Sequence, residues 1–266
     1  MRLPRIVAAA SAFLLACCFA LFQTGTAGAA GPGYVALGDS YSAGVGAGSY
    51  IGSSGSCSRS TKAYPYLWAA AHAPSSFAFA ACGGAKTGDV LKSQLSSLTP
   101  TTGLVSITIG GNDAGFSDVM TTCVTGSDST CVNRIDQARA YAQNTLPALL
   151  DNVYSAISAK SPAAHVVVLG YPRFYQIDGD CLLGLSDTKR QAIDDAADLL
   201  DGVIAKRAAD HGFTFGDVRA AFAPHEICSS GVWWLHSLTY PVSESYHPTA
   251  AGQSGGYLPV FTAAAG

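Results

Sequence analysis

Short apolar runs alternate along the chain with longer segments of helical periodicity, and this alternation constrains the fold more than any other feature. The clearest runs cover residues 34–37, 104–109 and 165–169, and the last two are rich in β-branched side chains. A short apolar run is typical of a strand buried on both faces, and helices between such strands connect them in parallel. The sequence therefore predicts an α/β domain with a mainly parallel sheet.

Helical periodicity also predicts four helices, and two weaker apolar runs predict further strands. Pro147 falls inside the third helical segment, where a proline removes a helical hydrogen bond, so we expect a break or kink there. The helices are predicted over residues 63–73, 89–98, 132–158 and 187–210, and the strands over residues 77–81 and 213–215.

Glycine and polar residues follow three of the predicted strands. They form the segments Gly38-Asp39-Ser40, Gly83-Gly84 and Gly110-Gly111-Asn112-Asp113. In open parallel sheets, ligands bind beyond the carboxyl ends of the strands. We therefore expect the functional site where these three segments meet.

The first thirty residues have the pattern of a secretory signal peptide. A basic start precedes an apolar run over residues 6–22, and small residues around Ala27 resemble a signal-peptidase site. A membrane anchor is one alternative, but the run is short and lacks a basic stop. A lipoprotein cleavage box ending at Cys17 is another, but the apolar run continues past it. We expect removal of residues 1–30, which leaves one secreted domain, residues 31–266, without an integral membrane segment.

The charge of the chain argues against nucleic acid as a partner. The formal net charge is −3, and charged residues make up 12% of the sequence. Nucleic-acid-binding domains usually carry a strongly basic patch or stripe. We therefore expect no nucleic-acid partner.

The cysteines indicate disulfide bonds. Two of the eight fall inside the predicted signal peptide, and an even remainder in an oxidising compartment is typical of disulfides. Their pairing stays open at this point, and a metal site is the alternative. Neither CxxC nor HxxxH spacing supports a metal, so we expect none. The remaining cysteines are Cys57, Cys82, Cys123, Cys131, Cys181 and Cys228.

Ser40 is the best candidate for a catalytic nucleophile. It follows a predicted strand at once, and Gly38 permits a tight turn that exposes the hydroxyl. The alternative is that Asp39 and Ser40 only cap the next helix. No GxSxG sequence occurs in the chain, which disfavours the common α/β-hydrolase turn.

His247 is the best candidate for the base that activates Ser40. Pro248 restricts the backbone before it, which suits a histidine held on a rigid loop. The alternative is an ordinary exposed loop histidine. The backbone N–H groups of Ser40 and Gly84 and the amide of Asn112 are candidate donors to an oxyanion, although the glycine segments are also good turn material.

Four blocks in this order resemble the GDSL, or SGNH, hydrolases. They are Gly38-Asp39-Ser40, Gly84, Gly111-Asn112-Asp113 and His247-Pro248. The fuller strings around Ser40 and His247 are closest to the secreted lipases and esterases of streptomycetes. The second block departs from the common pattern, since it reads Cys82-Gly83-Gly84-Ala85-Lys86.

The resemblance implies a three-layer α/β/α flavodoxin-like fold and a role for each candidate. Ser40 would be the nucleophile, His247 the base, and Ser40, Gly84 and Asn112 the oxyanion hole. Glu244 stands three residues before the histidine, where much of the family has an aspartate that orients the imidazole. In some streptomycete members a backbone carbonyl does this instead, so both alternatives stay open.

The resemblance also implies an activity and a disulfide pattern. It favours a secreted monomeric lipase that acts on acylglycerols without metal or organic cofactor, its partner being a lipid or small-molecule ester. A phospholipase, an esterase for sugar or aryl esters, and a non-catalytic binding module are the alternatives. Trp233 and Trp234 would either line an acyl site or simply pack. The implied disulfides are Cys57–Cys82, Cys123–Cys131 and Cys181–Cys228.

Overall fold

Five parallel strands form the sheet in the computed structural model, which describes residues 32–266. They are β1 (Gly33–Gly38), β2 (Phe77–Phe79), β3 (Thr102–Thr108), β4 (His165–Leu169) and β5 (Thr214–Gly216). Their order across the sheet is β2-β1-β3-β4-β5, and every pairing is parallel. This is the strand order of flavodoxin-like folds, so the expected α/β fold is confirmed. The predicted signal peptide, residues 1–30, lies outside the described residues.

Two groups of helices cover the sheet. The helices are α1 (Ser40–Ala43), α2 (Tyr64–His72), α3 (Thr87–Asp89), α4 (Phe116–Thr125), α5 (Asp128–Asn144), α6 (Leu146–Lys160), α7 (Asp187–Asp210), α8 (Arg219–Phe222) and α9 (Leu258–Ala265). Helix α9 packs on α2 and on strands β4 and β5. Helix α7 also packs on β4 and β5, and it contacts α5 and α6, with α4 beside α5.

The strands form where the sequence is apolar because both faces of the sheet are covered. Every residue of β1 is buried, as are the last four residues of β4. Tyr34 of β1 shows how polar atoms are accommodated, because its hydroxyl hydrogen-bonds Ser106 of β3 at 2.7 Å. Its ring stacks on Phe77 of β2 and Phe261 of α9, which joins the sheet to the helical layer.

The predicted helix over residues 132–158 is two helices that meet at Thr145. Pro147 lies in the first turn of α6, where a missing N–H costs no hydrogen bond, so it starts a helix rather than kinking one. Helix α5 begins four residues earlier than predicted because Ser127 caps it by accepting from the N–H of Thr130.

Helices α4, α8 and α9 were not predicted from the sequence, and the helix predicted over residues 89–98 is less regular than expected. Helices α4 and α9 are short, and α4 directly follows the glycine-rich segment after β3, which obscured its start. The segment predicted as one helix over residues 89–98 consists of α3, a π-helical turn (Val90–Gln94) and a 3₁₀ turn (Leu95–Ser97). Further turns are Gly52–Cys57, Ala223–His225, Val242–Glu244 and Gly252–Tyr257.

Among residues 32–266 there are three disulfide bonds, and each joins cysteines that are neighbours in the order of the sequence. They are Cys57–Cys82, Cys123–Cys131 and Cys181–Cys228, the pairs that the family resemblance implies. The second bond joins α4 to α5. In the part of the chain that the structure describes, no helix is both long and apolar enough to cross a membrane.

Candidate active site

A tight turn at the end of β1 presents Ser40. Gly38 has φ of +120°, and a Cβ there would lie 2.4 Å from the carbonyl oxygen of Thr108, so only glycine fits. Asp39 then caps α1 by accepting from the N–H of Tyr41 at 3.0 Å. Ser40 is therefore the first residue of α1. The capping alternative and the nucleophile prediction are compatible, because Asp39 makes the cap and Ser40 is presented.

His247 lies within hydrogen-bond distance of this serine. Its Nε2 is 2.8 Å from Ser40 Oγ, and its Nδ1 is 3.0 Å from the carbonyl oxygen of Ser245. A carbonyl can only accept, so Nδ1 carries the proton and Nε2 is left to accept from the serine hydroxyl. This tautomer is the one that a general base needs.

The Glu244 side chain, one of the two candidates to orient His247, bonds Tyr50 in the structure. Its Oε1 accepts from the Tyr50 hydroxyl at 2.6 Å, and that hydroxyl in turn accepts from the N–H of Gly46 at 2.9 Å. The group on His247 Nδ1 is the carbonyl of Ser245, the alternative that the family resemblance left open. The physical reason is local: the 3₁₀ turn Val242–Glu244 ends here, and the chain then runs extended through Ser245, whose carbonyl meets the ring.

Burial keeps the imidazole neutral. Loss of solvent lowers the pKa of His247 from 6.5 to about 4, and the nearby His236 lowers it further, while the Ser245 carbonyl opposes the shift. A burial-dominated depression of this kind disfavours the charged ring. At neutral pH, His247 is therefore ready to accept a proton from Ser40.

The three candidate oxyanion donors of the sequence each have an N–H group that could bind a substrate oxygen. Among residues 32–266, no acceptor pairs with the N–H of Ser40 or of Gly84. Gly84 has φ of +77° and faces open space. Asn112 borders the same cavity as Ser40, and its Nδ2 donates to the carbonyl of Ala85 at 3.0 Å. A primary amide has a second N–H, which stays available for an oxyanion.

A buried carboxylate that sequence reasoning assigned only to capping ties the strand ends together. Asp39 Oδ1 accepts from Thr108 Oγ1 at 2.6 Å, and Oδ2 accepts from the Tyr171 hydroxyl. That hydroxyl also accepts from the N–H of Gly111 at 3.2 Å. Burial raises the pKa of Asp39 to about 6. Tyr171 was missed, although it follows β4 just as Ser40 follows β1, and that position was its signal.

An apolar cavity opens beside Ser40 and runs between helices α4, α5 and α7. Polar groups are confined to the end near Ser40 and Asn112 and to Arg139 of α5. Several small side chains leave the space between the helices empty. The apolar lining comprises Ala114, Phe116, Val119, Met120, Ile135, Ala138, Ala142, Phe174, Ile193, Ala196, Ala197 and Leu200.

The two tryptophans considered for an acyl site do not line this cavity. Trp234 packs edge-on against Phe222 and stacks on His225. Trp233 donates its indole N–H to the carbonyl of Ser229 at 2.9 Å. The packing alternative is therefore correct for Trp234.

Known proteins share this sequence and this fold. The chain matches the GDSL-like Lipase/Acylhydrolase family over residues 36–254. It is 64% identical over 270 residues to Lipase 1 of Streptomyces coelicolor, covering 100% of both chains. The crystal structure of an extracellular lipase from Streptomyces rimosus is 64% identical, with a TM-score of 0.86 over 88% of this chain and 99% of that one.

A second solved structure has a different named activity. A phospholipase A1 from Streptomyces albidoflavus is 61% identical and superposes with a TM-score of 0.86, over 88% of this chain and 100% of that chain. The family match covers the nucleophile turn, the Asn112 segment and the histidine. This chain therefore belongs to the GDSL-like lipase/acylhydrolase family of carboxylic ester hydrolases.

Proposed function

We propose that this protein is a secreted lipase that hydrolyses acylglycerols through an acyl-enzyme on Ser40. The observation that carries the proposal is the 2.8 Å contact between Ser40 Oγ and a neutral His247 at the mouth of an apolar cavity. A nucleophile needs a base within about 2.6–3.2 Å, and a fatty acyl chain needs an apolar site.

The reaction follows from these contacts in two halves. His247 Nε2 takes the proton of Ser40 as Oγ attacks the ester carbonyl, and the Ser245 carbonyl steadies the ring as it becomes positive. The oxyanion accepts from the N–H groups of Ser40 and Gly84 and from the Asn112 amide. His247 then gives its proton to the departing alcohol oxygen, which leaves an ester on Ser40.

Water completes the cycle by the same route. His247 takes a proton from a water molecule, which attacks the acyl carbonyl. The second oxyanion that forms is held by the same donors. Collapse of this intermediate returns the proton to Ser40 Oγ and releases the fatty acid. A donor in such an oxyanion hole is typically worth about 3 kcal/mol of barrier.

The cavity supports an acyl chain but does not select the alcohol part of the ester. Its apolar walls suit a hydrocarbon chain, and its polar end lies at Ser40 and Asn112. A phospholipid is therefore the second candidate, favoured by the similarity to a phospholipase A1. Both substrates present a fatty acyl ester to the same nucleophile.

Export, monomeric action and independence of cofactors belong to the same proposal. Three disulfides suit an oxidising compartment, and a similar solved structure is that of an extracellular lipase. We propose that residues 1–30 direct export and are then removed. Apart from the attacking water, one chain supplies every group that the two half-reactions use.

Hydrolysis by the purified mature protein and its Ser40→Ala variant tests the proposal. The substrates are p-nitrophenyl esters of increasing acyl length, emulsified triacylglycerol and phosphatidylcholine. We expect long-chain esters and triacylglycerol to be cleaved and the variant to lose activity by several orders of magnitude. Cleavage of phosphatidylcholine alone would favour the second candidate, and an active Ser40→Ala variant would refute the mechanism.

A further inference from the structure

Two loops expose an unusual share of the large hydrophobic side chains. Seven of the ten that are exposed among residues 32–266 lie within residues 181–185 and 229–245. Leu182 is 98% exposed and Tyr240 is 92% exposed. Exposed apolar side chains that cluster in this way mark interaction surfaces. The seven are Leu182, Leu183, Val232, Trp233, Leu238, Tyr240 and Val242.

The longer loop leads directly into the segment that carries His247, the catalytic base of the proposed function. The N–H of His236 donates to the carbonyl of His247 at 3.0 Å, and the N–H of Tyr246 donates to the carbonyl of His236 at 3.0 Å. We call residues 235–248 the histidine loop. Its two arms pair beside the active site, so its tip, residues 238–242, projects from the arms that hold His247. The hydrogen bond between Glu244 and Tyr50 anchors the chain just after the tip.

The shorter loop is fastened to the same side of the molecule. The Cys181–Cys228 disulfide joins it to the segment that leads into the histidine loop, and the N–H of Asp180 donates to the carbonyl of Cys228 at 2.8 Å. Tyr175, a few residues before it, packs its ring 6.5 Å from the ring of Tyr246. Leu182 and Leu183 are therefore held on the side where His247 lies.

The charge of these loops restricts what can cover them. Residues 227–243 contain no aspartate, glutamate, lysine or arginine. The shorter loop is flanked by the acidic residues Asp178 and Asp180. Anionic lipid surfaces attract clusters of lysine and arginine, which both loops lack. A lipid surface without net charge matches them, and tyrosine and tryptophan suit such an interface because one end of each ring system is polar.

We propose that residues 181–185 and the segment 229–245 together form a docking surface for a lipid aggregate without net charge. The inference rests on the proposed lipase function and adds how the enzyme meets its substrate. An acyl chain must leave its aggregate to enter the cavity beside Ser40. Docking through the loop that holds His247 places the aggregate at that entrance.

Binding to vesicles of dialkyl ether phosphatidylcholine tests the proposal, because these lipids have no ester to cleave. One variant combines Leu238→Ser, Tyr240→Ser and Val242→Ser, and a second combines Leu182→Ser and Leu183→Ser. All five side chains are more than half exposed, so the substitutions leave the core intact. Tyr66→Ser and Leu91→Ser, which change exposed side chains outside both loops, form the matched control.

We expect each loop variant to bind these vesicles about tenfold or more weakly than the unmodified protein, because the docked apolar area is lost. The control should bind as the unmodified protein does. Both loop variants should keep their kcat/KM on monomeric p-nitrophenyl butyrate and lose activity on emulsified triacylglycerol. Addition of phosphatidylglycerol should not strengthen binding.

Three results would overturn the docking surface. Loop variants could bind the ether vesicles normally, or binding could depend on phosphatidylglycerol and vanish in salt. Sedimentation could also show a lipid-free dimer that the loop variants abolish, which would make the surface an interface between copies. Failure of the lipase proposal has a separate signature, because the unmodified protein would then cleave neither ester while its vesicle binding could still be measured.

Discussion

The hydroxyl of Tyr41 donates a hydrogen bond of 2.7 Å to the carbonyl of Tyr246, the residue before His247. Tyr41 directly follows Ser40, so this one bond joins the nucleophile turn to the histidine loop across the chain. Tyr246 has φ of +65°, a conformation that few non-glycine residues adopt. The bond helps to hold that backbone and thereby sets the position of the imidazole.

Tyr41→Phe should therefore lower kcat more than it changes KM. The ring stays in place, but the buried carbonyl loses its donor, a loss of about 1–3 kcal/mol. If roughly 1.4 kcal/mol of this reaches the transition state, kcat falls about tenfold. Steady-state kinetics on a soluble ester measure the effect.

Tyr257→Phe is the matched control for this variant. The Tyr257 hydroxyl is also buried and donates to a carbonyl, that of Gly170, at 2.9 Å. The control should lose stability to a similar degree, seen as a lower Tm, while its kcat stays close to the unmodified value. An equal fall of kcat in both variants would mean that the Tyr41 bond acts only on stability.

The acid limb of the kcat/KM profile should lie well below the ordinary histidine range. Protonated His247 cannot accept from Ser40, and burial lowers its pKa to about 4, so the active neutral form persists down to that region. Asp39, with a pKa of about 6, also titrates in the acid range. The Asp39→Asn variant lacks the Asp39 titration, so the acid limb of its kcat/KM profile should lie near pH 4, where His247 titrates. An acid limb near pH 6.5 in both the unmodified protein and Asp39→Asn would contradict the lowered pKa of His247.

Glu244→Gln should keep most of its activity. Its side chain bonds Tyr50, whereas the Ser245 carbonyl holds His247, and glutamine can still accept from the Tyr50 hydroxyl. We expect kcat within about twofold of the unmodified value, since substitutions away from critical contacts usually change little. A loss of several hundredfold, measured on the same soluble ester, would restore Glu244 to the catalytic machinery.

Filling the cavity should shift the preference toward shorter acyl chains. Ala138 of α5 lines the cavity and is buried, so Ala138→Leu places a larger side chain in the space where a long chain would lie. Ala140 of the same helix is exposed, and Ala140→Leu is the control. The ratio of kcat/KM for long and short p-nitrophenyl esters should fall only in Ala138→Leu. An unchanged ratio would place the acyl chain elsewhere.

Position at the strand ends was predictable from the sequence, whereas contacts between side chains were not. Ser40 and Asn112 were found because buried apolar runs end directly before their segments, and parallel strands bring such ends to one edge. Tyr171 follows β4 in the same way, but no glycine or polar motif marked it. Its bond to Asp39 depends on packing that a single sequence does not reveal.

Glu244 shows a second limit of prediction from the sequence. Its place three residues before His247 suggested an orienting carboxylate, but a backbone carbonyl can do the same work without any sequence signal. The irregular helix over residues 87–97 shows a third, because its apolar spacing is helical while its backbone passes through α, π and 3₁₀ geometry. Periodicity reports which side is buried and does not report the exact hydrogen-bond pattern.

Covalent labelling shows directly whether Ser40 is the nucleophile. A long-chain alkyl fluorophosphonate loses fluoride to an activated serine and leaves an alkylphosphonyl group on its oxygen. We predict that peptide mass spectrometry finds this group on Ser40 in the unmodified protein, that His247→Ala is labelled far more slowly, and that Ser40→Ala is not labelled. A label on another residue, or ester turnover that continues in Ser40→Ala, would rule out Ser40 as the nucleophile.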